Sequence, residues 1–332
     1  MRKIILLFLL CLLVLAPVFS APIDIGDLEK TMTSFATELA LSLPFNSAMG
    51  LNWADAHIKN FPHFGVGFSI GFTTMEVESF NKLVDYFSPA LPSWVLGFGG
   101  FPLPGYAVEG RIGGFYLPFD VGLKFGILPI QPKNFDFEKL EYFLIGGDIR
   151  YAVLEEKELV PCISIGIGFS YLKGGLGMNA GDDTSIEYPS VDMATMTPTT
   201  ETLTLGAPKL SLDWATSSLD FKAQISKTFV IFTPYLGFGA SSGWSEAEYS
   251  VKTKIQDSGG NIDKLKQVMK DFGLDNFSLD GFGASSGVKN GWSYRLYGGF
   301  AFTAALLRIE LTGLYNIRDN NYGATIGMRV QI

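Results

Sequence analysis

Pairs of opposite charge recur at close spacing along this chain: Glu109 with Arg111, Asp120 with Lys124, Asp148 with Arg150, Asp220 with Lys222, and Arg308 with Glu310, joined by Arg295 and Arg329. Each pair sits in a run where polar and apolar residues alternate, so the members of a pair point to the same side of an extended strand. Such charges can hold the inside of a narrow barrel together as ion pairs, or form a ring that selects ions. Both signs occur in similar number here, whereas a filter shows one dominant sign, so ion pairing is the favoured chemistry. Nucleophilic and metal chemistry find little support. The chain has two histidines, His57 and His63, no serine motif beside them, and one cysteine, Cys162, outside the leader. That set makes neither a hydrolase nor a recognisable metal site, so no enzyme activity and no cofactor are expected. Cys162 lies on the polar face of its run and reads as a small interior filler.

The elements that must carry these charges follow from the alternation. Phe64, Val66, Phe68, Ile70 and Phe72 interleave with glycine, serine and threonine; Ile163, Ile165, Ile167, Phe169 and Tyr171 do the same; so do Tyr322, Ala324, Ile326, Met328, Val330 and Ile332. A period of two with one apolar face means strands, and charges are costly against lipid, so they must point inward. Strands are expected near 62–75, 105–115, 117–127, 140–154, 160–172, 209–226, 229–250, 291–303, 305–316 and 320–332. Short turns near Phe115–Pro118, Glu155–Glu158, Ser226–Thr228 and Thr303–Ala305 fall at one end. The long connections 76–104, 173–208 and 256–290 fall at the other, with Arg318–Asn321 as a short hairpin among them. This is the asymmetry of an outer-membrane barrel with short periplasmic turns. The fold class is all-β: a transmembrane antiparallel β-barrel of about 10–14 strands, the higher counts if the long connections hold extra hairpins.

Arg2 and Lys3, the apolar stretch Ile4–Leu15, Pro17 and Val18-Phe19-Ser20 have the form of an export signal over 1–20. No later stretch is long and apolar enough for a spanning helix. The 28 Phe, 13 Tyr and 5 Trp suit a lipid-facing band and its interfaces. The net charge of −8 argues against nucleic acid as a partner. Outer-membrane lipid and a small hydrophobic ligand are the expected partners.

Three segments break the alternation. Asp27 as a cap, then Leu28, Met32, Phe35, Leu39 and Leu43, give helical spacing within 26–60. Val77, Phe80, Leu83, Val84 and Phe87 do so in 76–88, and Ile262, Leu265, Met269 and Phe272 in 261–272. The first is expected to begin at the periplasmic mouth and either fold into the lumen as a plug or cap the mouth; as a plug, Asn46, Ser47, Asn52, Trp53, Asp55 and His57 would reach the middle of the pore. The other two are expected helices of outer loops. The domains are therefore 1–20 signal peptide, 21–61 N-terminal helical plug or hatch, and 62–332 barrel. The loop 76–104 adds Trp94 and Phe98 among other apolar residues, which pack on each other as a lid or line a groove.

An exported chain, a helical segment, the strand Phe61–Met75, a helical loop and regular strands to the end together resemble the FadL-type outer-membrane transporters of long-chain fatty acids and other hydrophobic compounds, as a divergent, spirochaete-like branch. Where that family carries Asn-Pro-Ala before its first strand, this chain reads Leu51-Asn52-Trp53-Ala54-Asp55-Ala56. The resemblance implies uptake of a hydrophobic ligand, captured by Phe80, Leu83, Phe87, Trp94 and Phe98 and completed by Met269 and Phe272. It further implies that lumenal cations among Arg111, Lys124, Arg150, Lys222, Arg295, Arg308 and Arg329 meet a carboxylate, and that hatch movement opens a passage through the wall. Gly65, Gly67 and Gly71 then mark either a kink for lateral exit or room for the plug. A general diffusion porin and a surface-exposed adhesin or antigenic barrel are the alternatives.

Overall fold

The computed structural model describes residues 25–58, 61, 63–75, 78, 101–127, 137–179, 184–192, 197–205, 209–252, 255–257 and 282–332. The expected signal over 1–20, the loop aromatics Phe80, Leu83, Phe87, Trp94 and Phe98, and Met269 and Phe272 lie outside these residues.

Among the described residues, a helix, α1 (Ile25–Ser47), precedes thirteen strands. They are β1 (His63–Met75), β2 (Phe101–Gly113), β3 (Phe119–Ile127), β4 (Phe137–Leu154), β5 (Cys162–Asn179), β6 (Thr184–Asp192), β7 (Thr197–Leu205), β8 (Lys209–Ser226), β9 (Phe232–Lys252), β10 (Ile255–Asp257), β11 (Phe282–Ala304), β12 (Leu307–Asn316) and β13 (Asn321–Gln331). Among the described residues, ten strands close an antiparallel barrel in the order β1-β13-β12-β11-β9-β8-β5-β4-β3-β2. The seam is β1 on β13, from Gly65 opposite Gln331 to Thr73 opposite Gly323. β6, β7 and β10 make a separate three-stranded sheet on the connections after β5 and β9. Their sequences, TSIEYPSVD and TPTTETLTL, lack an apolar face of the kind lipid requires.

The outer wall is apolar in a band. Outward apolar positions run from Phe143 to Val153 on β4, from Pro234 to Trp244 on β9 and from Leu307 into Ile317 on β12. Each run is about ten residues, which at a tilt of ~40° covers about 25 Å, the height of a lipid-facing belt. Beyond the band β4, β5, β8, β9 and β11 continue, at 18 to 23 residues, and their outward positions turn polar: Glu141, Lys173, Asp213, Glu246 and Glu248. The outward apolar residues that mark a strand in the sequence are missing there, which is why β5 and β11 extend further toward the long connections than the sequence pattern predicts.

α1 lies inside the barrel and packs chiefly on β11, β9 and β8. Met32, Phe35, Ala36, Leu39, Ala40 and Leu43 are buried in one cluster with Met75, Leu103, Leu144, Leu172, Leu212 and Tyr249 of the wall. Its start stands at the long-connection end: Thr33 hydroxyl meets the Tyr249 hydroxyl at 3.2 Å and Thr37 meets Ser286 at 2.7 Å. The chain then descends, reaching Ser226 of the short-turn end by Ala56. The helix thus does not begin at the periplasmic mouth. An apolar helix needs an apolar wall, and the inward apolar residues of the strands are concentrated at the other end. Helical structure also stops earlier than expected, because Gly50 and Leu51 take the left-handed conformation (φ 80° and 57°) and turn the backbone out of the helix.

Leu39 is fully buried at the centre of this seat. Leu39→Ala is expected to lower unfolding stability by about 2–5 kcal/mol, read from urea titration of the refolded protein in micelles.

Candidate functional site: the barrel interior

Residues 51–58 follow α1 with no helix or strand of their own, yet nearly all are buried. Extended backbone in such a place must find a partner for each peptide group, and the inward side chains of the strands supply them. Glu109 accepts from the Leu51 N–H, and Glu310 accepts from the Ala54 N–H at 2.7 Å. The Leu51 carbonyl accepts from Lys222 at 2.9 Å and Arg111 at 3.2 Å. Gln224 donates to the carbonyls of Trp53 and Ala54, Arg150 donates to that of Asp55 at 2.9 Å, and Ser226 accepts from the Ala56 N–H. Just above, Lys124 donates to the carbonyls of Ser47 and Met49 at 2.6 and 2.7 Å.

The same charges pair with one another. Asp120 holds Arg111 and Arg150 at 2.6 Å each, and Asp148 holds Arg111 and Lys222. Asp220 takes Arg295 through both carboxylate oxygens, at 2.6 and 2.8 Å. Asp55, from the threaded segment, pairs with Arg329 and with Arg308 (2.9 Å) and accepts from Gln331 at 2.8 Å. Arg329 also pairs with Glu310. The seven cations read from the sequence, Arg111, Lys124, Arg150, Lys222, Arg295, Arg308 and Arg329, therefore all line the interior, and each is engaged by an acid or a peptide carbonyl of this chain. Buried pairs of this kind add little net stability, because desolvation offsets attraction; their removal one partner at a time is costly.

Trp53 is the side chain that locks the segment laterally. Its ring lies 4.3 Å from the Arg329 guanidinium carbon and 5.4 Å from that of Arg111, a double cation–π contact in a dry setting. Its indole N–H donates to Glu109 at 3.1 Å. A Cβ on Gly65 would stand 2.7 Å from the indole edge, so that glycine makes room for the ring. β1 itself pairs without interruption on both sides through Gly65, Gly67 and Gly71, so no kink occurs at those glycines. Below, Cys162 is buried against Ala56, Ile58 and Ala152 as an interior filler. His63 is buried with Nε2 3.5 Å from Asp120.

Among the described residues, the β2–β3 ladder is shorter than β2 itself, which no sequence signal marked. β2 pairs with β1 along its whole length, but with β3 only from Val108 to Gly113. β3 is described to Ile127, with Gly126 still beside the Tyr106 carbonyl, and beyond it no described strand separates residues 101–105 of β2 from 137–142 of β4. Tyr142 stands in its place, its hydroxyl accepting from the Tyr106 N–H and donating to the Tyr106 carbonyl, both at 3.1 Å. In an antiparallel strand, alternate residues direct both peptide groups to the same neighbour. Pro102 and Pro104 share the parity of Tyr106, and proline has no N–H to leave unpaired. The discontinuity borders the apolar upper cluster, since Leu103, Ala107, Tyr142 and Leu144 all belong to it.

The interior is thus divided: apolar toward the long connections, charged and bonded to residues 51–56 toward the short turns. No family model matches the chain, and no curated protein matches it. Among solved structures, the chain is similar to the outer membrane protease OmpT from Escherichia coli, with 9% identity over 81% of this chain and 97% of that one and a TM-score of 0.41. It is also similar to the CymD monoaromatic hydrocarbon channel, with 10% identity over 90% and 95% and a TM-score of 0.25. The Pseudomonas putida toluene transporter TodX follows, with 7% identity over 81% and 88% and a TM-score of 0.24. Similarity at this level assigns no family.

Burial alone would raise the Asp55 carboxyl; the guanidiniums of Arg329, Arg308 and Arg150, with the Gln331 amide, outweigh it and hold the group well below the usual carboxylate range. A depressed folded pKa means that the stabilisation is complete above the ordinary carboxylate range and is lost as pH falls below it. Acidification is therefore expected to lower the unfolding midpoint of the parent more than that of Asp55→Asn, compared in parallel pH series. At neutral pH, Arg329→Gln is expected to cost about 3–5 kcal/mol by stranding Asp55 and Glu310.

Proposed function

We propose that this chain is an outer-membrane transporter that takes up hydrophobic small molecules, long-chain fatty acids among them, and that residues 21–61 act as its plug. The observation that carries this reading is the divided interior. An apolar ligand entering from the long-connection end meets the apolar cluster around α1 and Tyr142. It cannot continue to the short-turn end, because residues 51–58 fill the way and are bonded to the wall on several sides. The route left to it is sideways, where the β2–β3 ladder stops, at the upper margin of the apolar band. Phe80, Leu83, Phe87, Trp94, Phe98, Met269 and Phe272 would gather the ligand outside.

Two features weigh against a diffusion porin. The interior is occupied by the chain itself, and the lumenal cations are neutralised rather than arrayed as a one-signed filter. They also have acids of their own as partners, so a fatty-acid carboxylate would have to displace one. Both histidines lie at the short-turn half of the chain path, beside Ile58 and at the start of β1, away from any surface an external polymeric substrate could reach.

The test is equilibrium binding of a labelled long-chain fatty acid to the detergent-purified barrel, with unlabelled ligand as competitor. Saturable, competed binding is expected, weakened by Trp94→Ala with Phe98→Ala; no saturable binding would remove the proposal. The plug is checked separately. Deleting residues 22–60 is expected to raise conductance in planar bilayers, and native Cys162, shielded by Ala56 and Ile58, should react with maleimide only when the segment is released.

A further inference from the structure

The turns at the short-turn end carry the wrong residues for water. Tyr116 is 105% exposed, Leu159 94% and Val230 94%. Each sits near the tip of a connection, at β2–β3, β4–β5 and β8–β9, and Leu306 does the same at β11–β12. At the β13–β1 seam, where no turn exists, Ile332 and Phe61 are exposed instead. Each of the four short turns and the seam thus presents at least one exposed apolar residue, so that such residues recur all the way round the barrel.

The backbone sharpens the point. Tyr116, Val230 and Ala305 hold the left-handed conformation, at φ 58°, 55° and 54°. Glycine and asparagine take that conformation at least cost, and a β-branched residue there is an outlier. The chain provides its own control at the opposite end. A short hairpin between barrel strands there, Ile317-Arg318-Asp319-Asn320, places an asparagine in the left-handed position, φ 52°, and fills the rest with charge apart from Ile317. One end therefore follows the chemistry of a water-facing turn, and the other keeps large apolar side chains at positions where the backbone disfavours them.

We propose that this rim is an interaction surface for lipid: the four short turns and the seam are immersed in the headgroup layer of the periplasmic leaflet and set the depth of the barrel. Two observations choose lipid over a protein partner. The apolar residues surround the barrel on all sides, as a planar medium requires, whereas a docked protein would favour one arc. They are also continuous with the lipid-facing band: Phe61 and Phe115 pack with ring centroids 4.6 Å apart and planes tilted by 31°, between the last outward residues of the wall and the β2–β3 turn. Interspersed charges at Glu155, Lys157, Glu158 and Lys227 suit a zone that is neither hydrocarbon nor bulk water. The inference rests on the membrane part of the proposed function but not on any ligand; a porin or an adhesin would show the same rim.

The experiment is depth measurement in phosphatidylcholine vesicles brominated at defined acyl positions. Tyr116→Cys, Leu159→Cys and Val230→Cys are each labelled with bimane in a Cys162→Ser background, with Leu123→Cys as a mid-band control and heat-modifiable gel mobility as the check on folding. All three rim labels are expected to be quenched most by bromines nearest the headgroup, to a similar extent, while Leu123 is quenched by the deeper ones. Rim labels that escape quenching and emit as in water, with Leu123 still quenched, would overturn the proposal and leave the rim free for a soluble apolar partner. An unquenched Leu123 would instead overturn the membrane reading beneath it.

Discussion

The structure depends on satisfying an extended stretch of backbone where there is no water and no sheet to join. Residues 51–58 run down the inside of a closed barrel, and every strand around them already spends its ladder bonds on its neighbours. Peptide groups of Leu51, Trp53, Ala54, Asp55 and Ala56 are met by side chains, from Glu109, Arg111, Arg150, Lys222, Gln224, Ser226 and Glu310. That requirement explains why a narrow barrel carries so many buried charges, and why they come in both signs. Amide N–H groups call for carboxylates, carbonyls call for cations, and the set must also balance itself. Asp55 completes the account, since it contributes the acid that Arg308 and Arg329 need from the segment rather than from the wall.

A second consequence is the gradient along the axis. α1 has no spare backbone groups along its middle, so it can sit against Leu, Met and Phe. The segment after Gly50 has many, so it needs charge. The switch from helix to extended chain at Gly50–Leu51 is therefore also the switch from apolar to charged lumen. The discontinuity between β2 and β3 falls on the apolar side of that boundary. There, a single phenol serves both peptide groups of Tyr106 and the two prolines have no N–H to strand, so few β2 donors depend on a neighbouring strand. On the charged side, no such economy exists and the strands pair without a break.

Much of the barrel was legible in the chain. An apolar outer face and a packed lumen impose a period of two, and this holds within the apolar band of the ten barrel strands. The inward placement of the seven cations follows from the same rule. The wall above the band was less legible, because the outward residues Glu141, Lys173 and Glu246 are polar and the inward ones apolar, the reverse of the pattern that marks the band. The Tyr142–Tyr106 contact had no local signature at all; Pro102 and Pro104 within a strand were its nearest trace, since proline belongs at an unpaired edge.

By itself the sequence determined the class of fold, the strand phase and which residues turn inward, because hydrophobic alternation is a local property read against a uniform solvent. Only the tertiary structure decided what the inward charges face, the direction in which the N-terminal segment threads the lumen and where the β2–β3 ladder stops. Those depend on which groups meet across the barrel, between residues as distant in the chain as Asp55 and Arg329, and no local pattern encodes a meeting of that kind.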